Sequence, residues 1–393
     1  MKVLVVNAGS SSLKAQLMET STGEVFAKAY CQRIGLDGAF MEYKTTSKQV
    51  IAHDMPTHKE AFQLVLDSLM DKEIGVISSL EEIKAVGHRM VNFGPKYNKS
   101  IVVTKAIFED LARCEHFSPM HNKAALSGVS ACMELMPGKK NVAVFDTAFH
   151  STMPPKAYMY AIPYDLYEKH SIRRYGAHGT SHRYIAKQIE KMYGDLNGKK
   201  IISCHLGSGS SICAIKDGKC IDTSMGFTPL AGVVMGTRCG DIDASTIKDI
   251  MEHTGYDIDQ VTNMLNKQSG LLGVCGYSDL RDIDAHLDQP KVKLAFDMMI
   301  YSIKKYIGAY AAAMNGVDYI VFTAGVGEND ELVRQEVCRD LEYLGVEFNY
   351  EYNHTAPRGT TEVFSTENSK VKVLRIPTDE EYMIALDTEE LSK

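Results

Sequence analysis

The chain carries HLGSGSSICAI at His205–Ile215, where Gly and Ser alternate between an apolar lead-in, KIISC, and a second apolar run. This reads as strand, tight turn, strand. The first residues, MKVLVVNAGSSSLKAQL, have the same layout. Gly-Ser turns between strands are common, so either copy alone reads as a plain hairpin. Two copies, each at the head of a strand set, point to a repeated domain whose turns face a shared cleft. Backbone N–H groups in such turns form anion-binding concavities, and glycine lets the chain approach a phosphate without a Cβ. Neither copy is a Walker loop, which needs G-x-x-x-x-G-K-[ST] opening a helix. GSGSSI lacks a third glycine and runs into a strand, which argues against a dinucleotide site.

Outward from these hairpins, short β-branched runs recur: KAVGHRMV, NVAVFDT, DYIVFTAG and VKVLRIPT. Between them HKEAFQLVLDSLM, SHRYIAKQIEKMY and LAFDMMIYSIKKYIGAYAAAM place apolar residues at three- and four-residue intervals, the period of a helix. In TDEEYMIALDT, Thr378 and Glu381 have capping-box spacing and predict a last helix. Strands alternating with helices mean an α/β fold. The Pro-rich stretch FHSTMPPKAYMYAIPYDL places the domain boundary near residue 150.

A length of 393 residues calls for two domains. With 45% hydrophobic and 24% charged residues the composition is that of a soluble globular protein. A net charge of −7 and a pI near 6.0 argue against nucleic acid or an anionic membrane as partner. Nine scattered cysteines without a C-x-x-C pair fit reduced thiols in a cytoplasm. The most membrane-like segment is interrupted by Lys304 and Lys305, so it reads as a buried helix.

Polar residues at strand ends are where α/β proteins place ligands. Arg89 follows KAVGH, Asp146 follows NVAVF, and Arg238 lies in MGTRCGDID, directly after LAGVVMG. Guanidinium groups bind carboxylate or phosphoryl groups bidentately, and a carboxylate can order Mg²⁺. In YGAHGTSH, Thr180 or Ser181 reads as the cap of the following helix. Adjacent Ser181 and His182 do not make a nucleophile–base pair, and G-x-S-x-G is absent. His178 and His121 each read as either a structural turn histidine or a functional one. GVGEND, Gly325–Asp330, reads as a small-residue turn against which a phosphorylated ligand can lie, or as an ordinary connection. SDLRDID, Ser278–Asp284, reads as a solvated loop.

Together VVNAGSSSLK, GHRMV, HNKAAL, VFDTAFHSTMP, IRRYGAHGTSH, HLGSGSS, DTSMGFTPL, MGTRCGDID, FTAGVGEND and PTDEE closely resemble the acetokinase family of the sugar-kinase/Hsp70/actin superfamily. The resemblance implies two duplicated ribonuclease-H-like domains with a cleft between them. Its boundaries are 1–149 and 150–383, with a helix at about 384–393 packing back on the first domain, and the second domain carrying the nucleotide site and a homodimer interface. It also implies reversible Mg²⁺-dependent phosphoryl transfer from ATP to acetate, with Mn²⁺ as an alternative ion. Propionate or a longer short-chain acid, and a pyrophosphate-using relative, are the other enzymatic readings. A non-catalytic nucleotide-binding scaffold would not need Arg89, His178 and Arg238 together.

Carried over residue by residue, the resemblance makes Asp146, His178 and Arg238 catalytic and Arg89 the substrate arginine. It lines the acyl pocket with Val91, Met120, Ala177 and Pro229, with His121 nearby. Nucleotide contacts fall on Lys14, on His205, Leu206, Gly207, Ser208 and Gly209, on Asp279, Leu280 and Arg281, and on Gly325, Val326, Gly327, Glu328 and Asn329. Asn7 and Glu380 match the metal positions. The chain departs from the family pattern in five places. Ala177 replaces an aromatic, which leaves room for propionate. Asn92 and Phe93 stand in the family's HGG, where Phe93 would partly refill that room. HNPP becomes HNKA, Asp379 precedes the metal glutamate, and Ser208 replaces an amide side chain at the nucleotide's edge.

Overall fold

The computed structural model describes residues 1–393 apart from the side chain of Met120. The chain forms two compact units, Met1–Ala148 with Asp379–Lys393, and Phe149–Thr378.

The first unit holds strands β1 (Lys2–Gly9), β2 (Ser12–Glu19), β3 (Val25–Gln32), β4 (Phe40–Lys44), β5 (Lys48–Ala52), β6 (Ala85–Met90), β7 (Ile101–Val102) and β8 (Lys140–Phe145). The second holds β9 (Lys200–Leu206), β10 (Ser210–Lys216), β11 (Lys219–Thr223), β12 (Tyr319–Thr323), β13 (Glu362–Val363) and β14 (Lys372–Arg375). Their orders are β5-β4-β3-β2-β1-β6-β8-β7 and β11-β10-β9-β12-β14-β13. Strand by strand, β3-β2-β1-β6-β8-β7 repeats as β11-β10-β9-β12-β14-β13. In each unit an antiparallel hairpin leads, two parallel strands follow, and a short antiparallel strand closes the edge. The duplication read from NAGSSS and HLGSGSS is therefore a duplication of the whole sheet, with β4 and β5 added only in the first unit.

Helices cover both faces, which is why the parallel strands read as continuous apolar runs. Successive β1 residues point to opposite sides. Val3 and Val5 pack with Ile384 and Ala385 of the last helix, Glu380–Ser392. Leu4 and Val6 pack with Phe62, Val65 and Leu66 of the helix His58–Met70. The second sheet repeats the plan. Ile201 and Val321 meet Ile185 and Ile189 of the helix Gly179–Tyr193, while Ile202 and Ile320 meet Phe296, Ile303 and Ile307 of the helix Pro290–Met314. In both units, one covering helix follows the other unit's parallel strands in the chain. Among the described residues, no helix is long and apolar enough to cross a membrane.

Four local expectations are corrected. The last helix is capped by Asp379, whose side chain accepts from the Tyr382 N–H, and not by a box between Thr378 and Glu381. The Thr378 hydroxyl is engaged by Ser181 Oγ at 2.8 Å. The helix at 179–193 begins after His178, so Thr180 and Ser181 lie inside its first turn. GVGEND is not an open turn: Ala324–Asn329 is a short helix. SDLRDID is not a loop either, because Asp279 caps a helix over Leu280–Ala285.

Candidate active site

In the first unit the parallel strands β1, β6 and β8 run side by side and end near Asn7, Arg89 and Asp146. Asp146 is buried, and Arg89 donates to it from Nε at 3.2 and 3.1 Å and from Nη2 at 2.7 Å. A charge this deep is held only by a partner of opposite sign. Asp146 first, then Glu380 at 4.0 Å, push the Arg89 guanidinium far up. Burial, with Asp146, Glu381 and Asp379 adding to it, pushes the Glu380 carboxyl up to about 7 against the pull of Arg89. The cluster thus has more carboxylates than cations, an environment that favours a further positive charge. Asn7 is half-buried, lies opposite Lys14 in the hairpin register, and lines one cavity of ≈ 310 Å³ with Lys14 and Glu381. The Lys14 ammonium lies 5.0 Å from the Tyr30 ring centroid.

The second unit presents imidazoles. His178 takes φ 56°, a left-handed conformation, at the mouth of the helix Gly179–Tyr193. Its Nδ1 is 2.9 Å from Ser211 Oγ, and its ring stacks on His205 with centroids 4.0 Å apart. Ser211 Oγ is also 2.8 Å from His182 Nε2, and His182 Nδ1 is 2.8 Å from Ser203 Oγ. Burial, with His150 and His205 adding to it, holds His182 far below its ordinary pKa, so this ring is neutral. His205 Nδ1 meets Ser181 Oγ at 2.8 Å. Rings and hydroxyls alternate, and each fixes the orientation of the next.

Arg238 differs from Arg89 in what surrounds it. Its Nη1 donates to the Pro229 carbonyl at 3.0 Å, and among the described residues no carboxylate pairs with it. Burial lowers its pKa, though a guanidinium stays charged. A Cβ on Gly209 would lie 3.2 Å from Nη1, so the glycine makes room for this cation.

A cavity of ≈ 560 Å³ in the second unit is lined by Leu206, Gly207 and Ser208, by Asp279, Leu280 and Arg281, and by Gly325, Val326 and Asn329. Three separate sequence segments of the expected nucleotide set thus share one cavity. His205, Gly209, Gly327 and Glu328 do not line it. Glu328 accepts instead from the N–H groups of Ala324 and Thr378, and two buried arginines, Arg334 and Arg375, donate to its carbonyl. Lys14 belongs to the other unit.

A model described as the acetokinase family matches residues 2–386. The chain belongs to the acetokinase family. The acetate kinase of Phocaeicola vulgatus is 51% identical over 394 residues, covering 99% of this chain and 98% of that one. The crystal structure of Porphyromonas gingivalis acetate kinase superposes with a TM-score of 0.96 at 46% identity over 100% of both chains. A propionate kinase from Francisella tularensis gives 0.92 at 38% identity over 99% of each. Family membership makes the chain a kinase that uses ATP and ADP.

Of the family's acyl-pocket set, Val91 and His121 lie in the first unit and Ala177 and Pro229 in the second; the Met120 side chain lies outside the described residues. His121 Nδ1 is 3.2 Å from Ser118 Oγ. Ala177 clusters with Met225 and Met235, both buried. Phe93 packs against Tyr97 and Phe145 in the core of the first unit. The carried-over nucleotide set leaves out Asp284, Asp330 and Arg358, which line the larger cavity, although Asp284 and Asp330 close the SDLRDID and GVGEND stretches. Burial, then Asp330 and Glu331, push the Asp284 carboxyl up to about 6. Residue-by-residue reading missed His182 as the hub of the imidazole network, where the only signal was its place one turn into an amphipathic helix.

Proposed function

We propose that the chain transfers the γ-phosphoryl group of ATP to acetate, reversibly, giving acetyl phosphate and ADP. The observation that carries this reading is Arg238, a half-buried guanidinium beside the Gly207–Ser210 turn that has no carboxylate partner among the described residues. Such a cation is stabilised by an anionic ligand, and the turn borders a cavity in the size range of ligand sites.

Arg89, oriented by buried Asp146, binds the acid's carboxylate. A carboxylate is ionised and nucleophilic at neutral pH, so no general base is needed. One carboxylate oxygen forms a bond to the γ-phosphorus as the bond to the bridging oxygen of ADP breaks, and that oxygen keeps the electron pair. Arg238 and His178 stabilise the charge on the transferring group, each worth about 2.7–4 kcal/mol if it acts as one preorganised donor. Asp146 is a positioning residue: its two oxygens are occupied by Arg89.

The oxygen donors Asn7 and Glu380, with their excess of carboxylates, fit a hard divalent cation such as Mg²⁺. When bound, the ion neutralises phosphate charge. The nucleotide is assigned to the cavity of Leu206–Ser208, Asp279–Arg281 and Gly325–Asn329. A homodimer is proposed on Leu294, Met298 and Tyr301, exposed at four- and three-residue spacing on the helix Pro290–Met314. The nine cysteines are free thiols, which supports a cytoplasmic location.

Trapping acyl phosphate with hydroxylamine, using acetate, propionate and butyrate against ATP and pyrophosphate, tests the reading. Acetyl hydroxamate from acetate and ATP is expected, and its absence with every pair overturns it. Propionate is the second reading, favoured by the small Ala177 beside two flexible methionines. Ala177→Phe should lower the propionate-to-acetate ratio of kcat/KM about tenfold, one methylene's worth of discrimination. An unchanged ratio removes Ala177 from the acyl pocket.

A further inference from the structure

Outside the groups used above, the second unit buries His150, Cys213 and Cys220 together, with their ligand atoms all within 4.8 Å of one another. His150 and the two thiols are at most 1% exposed. His150 Nδ1 is 3.1 Å from Cys220 Sγ, and Cys213 Sγ is 3.5 Å from Cys220 Sγ. We propose that His150 Nδ1, Cys213 Sγ and Cys220 Sγ form a binding site for a thiophilic divalent ion of the Zn²⁺ class, separate from the Mg²⁺ of the kinase reaction.

Three features support it. The first is spacing. Zn–S bonds of about 2.3 Å and Zn–N bonds of about 2.0–2.1 Å put tetrahedral ligand atoms about 3.5–3.8 Å apart, so the two separations to Cys220 Sγ, 3.1 and 3.5 Å, need to open by only a few tenths of an ångström.

The second is the ring's outer contact. His150 Nε2 lies 2.8 Å from the Ala177 carbonyl, which can only accept, so Nε2 carries the proton and Nδ1 presents its lone pair to the sulfurs. Metal-bound histidines are held this way by a backbone carbonyl. Gly176, at φ 78°, keeps the ring there, because a Cβ would come within 2.7 Å of His150 Cδ2.

The third is chemistry. Two thiols and an imidazole are soft or borderline donors and do not suit Mg²⁺. Burial raises both thiols, Cys213 well above its ordinary pKa, while the hydrogen bond from Cys213 helps to bring Cys220 below its own.

Binding replaces two S–H protons by the ion and releases both to solvent, while His150 stays neutral. Three protein ligands leave one coordination position for water. Cys220 lies on β11, the edge strand of the sheet, which is joined to β10 by the Asp217–Gly218 turn. Because Nε2 is anchored to Ala177, the residue before His178, occupancy is coupled to the loop that presents the catalytic imidazole.

Titration of the full-length protein with Cd²⁺, followed by the thiolate-to-cadmium charge-transfer band, tests this directly. One ion per chain is expected with a strong band, and Zn²⁺ should compete it away. Cys213→Ala and Cys220→Ala should each weaken the tight site about a hundredfold. If Cys220→Ala fails to fold, Cys213→Ala alone decides. A band of equal strength and affinity in Cys213→Ala, or no band in the unmutated protein, overturns the site. With excess Mg²⁺-ATP, Zn²⁺ should also lower kcat of the unmutated protein and not of Cys213→Ala. Equal inhibition of both overturns the coupling to His178.

Discussion

The two sheets share a strand order and carry opposite equipment at their parallel strand ends. In the first unit Asp146 and Glu380 surround one guanidinium, Arg89, which their charges hold in place. In the second, imidazoles stack and are hydrogen-bonded, and the Arg238 guanidinium has a carbonyl and a thioether for company. The same topology therefore supplies one set of groups suited to a cation and a carboxylate held by arginine, and another suited to phosphate. A duplicated fold provides strand ends, and the side chains grafted onto them decide the chemistry.

Removing each arginine tests this contrast most strongly. Arg238→Ala leaves no buried charge behind, so stability should change by less than about 1 kcal/mol. Turnover should fall about 10²–10³-fold, the usual loss when one preorganised donor is deleted. Steady-state kinetics and thermal melting of the same preparation check both halves, and full turnover would break the assignment. Arg89→Ala should behave differently. It strands Asp146 in the interior, and because Arg89 is itself 28% exposed the cost belongs at the low end for a broken buried pair, about 3 kcal/mol. The deficit is read from urea unfolding. Equal stability of the two variants would erase the distinction between a paired and an unpaired arginine.

The sequence carried the sheets better than it carried the sites. Continuous apolar runs such as KVLVV and YIVF are dictated by helices on both faces, so their strand identity is local information. The helix His58–Met70 was legible from the apolar spacing of HKEAFQLVLDSLM, and a capping box of Thr57 and Glu60 fixes its first turn. Ends set by tertiary partners were not legible. Thr378 looks like a cap, yet Ser181, far away in sequence, takes its hydroxyl. Gly325 and Gly327 suggest an open turn, yet buried Arg334 and Arg375 hold the Gly327 and Glu328 carbonyls in a short helix. The pairing of Arg89 with Asp146 depends on β6 and β8 being neighbours, which neither segment shows alone.

A smaller effect separates the units by pH. Glu380 titrates at about 7 in the folded chain against an ordinary 4.5, so between these values the folded state holds a proton that the unfolded chain has lost. Its contribution to stability is complete below pH 4.5 and is lost as pH rises through about 7. Glu380→Gln should remove that slope from a plot of melting temperature against pH. Saturating Mg²⁺ should also flatten it in the unmutated protein, because a bound cation keeps the carboxylate ionised. A slope that Mg²⁺ leaves untouched would count against Glu380 as a metal ligand.

The smallest effect compares the two hairpin turns directly. A Cβ on Gly9 would meet only the Ser12 hydroxyl, at 2.8 Å, and that side chain can rotate away. A Cβ on Gly209 would meet the Arg238 guanidinium at 3.2 and 3.4 Å. That group is already hydrogen-bonded to Pro229, so it can yield only by leaving its place. Displacement of a catalytic group by 1 Å costs about a hundredfold, so a shift of a few tenths of an ångström should cost Gly209→Ala about tenfold in kcat. Gly9→Ala should stay within about twofold, and both variants should melt within a few degrees of the unmutated protein, since neither glycine needs a left-handed backbone. If the two substitutions cost the same, both glycines serve a common ligand and the turns are functional equivalents. If only Gly209→Ala slows turnover, the second glycine is there for an arginine, and the likeness of NAGSSS to HLGSGSS is inherited topology put to two uses.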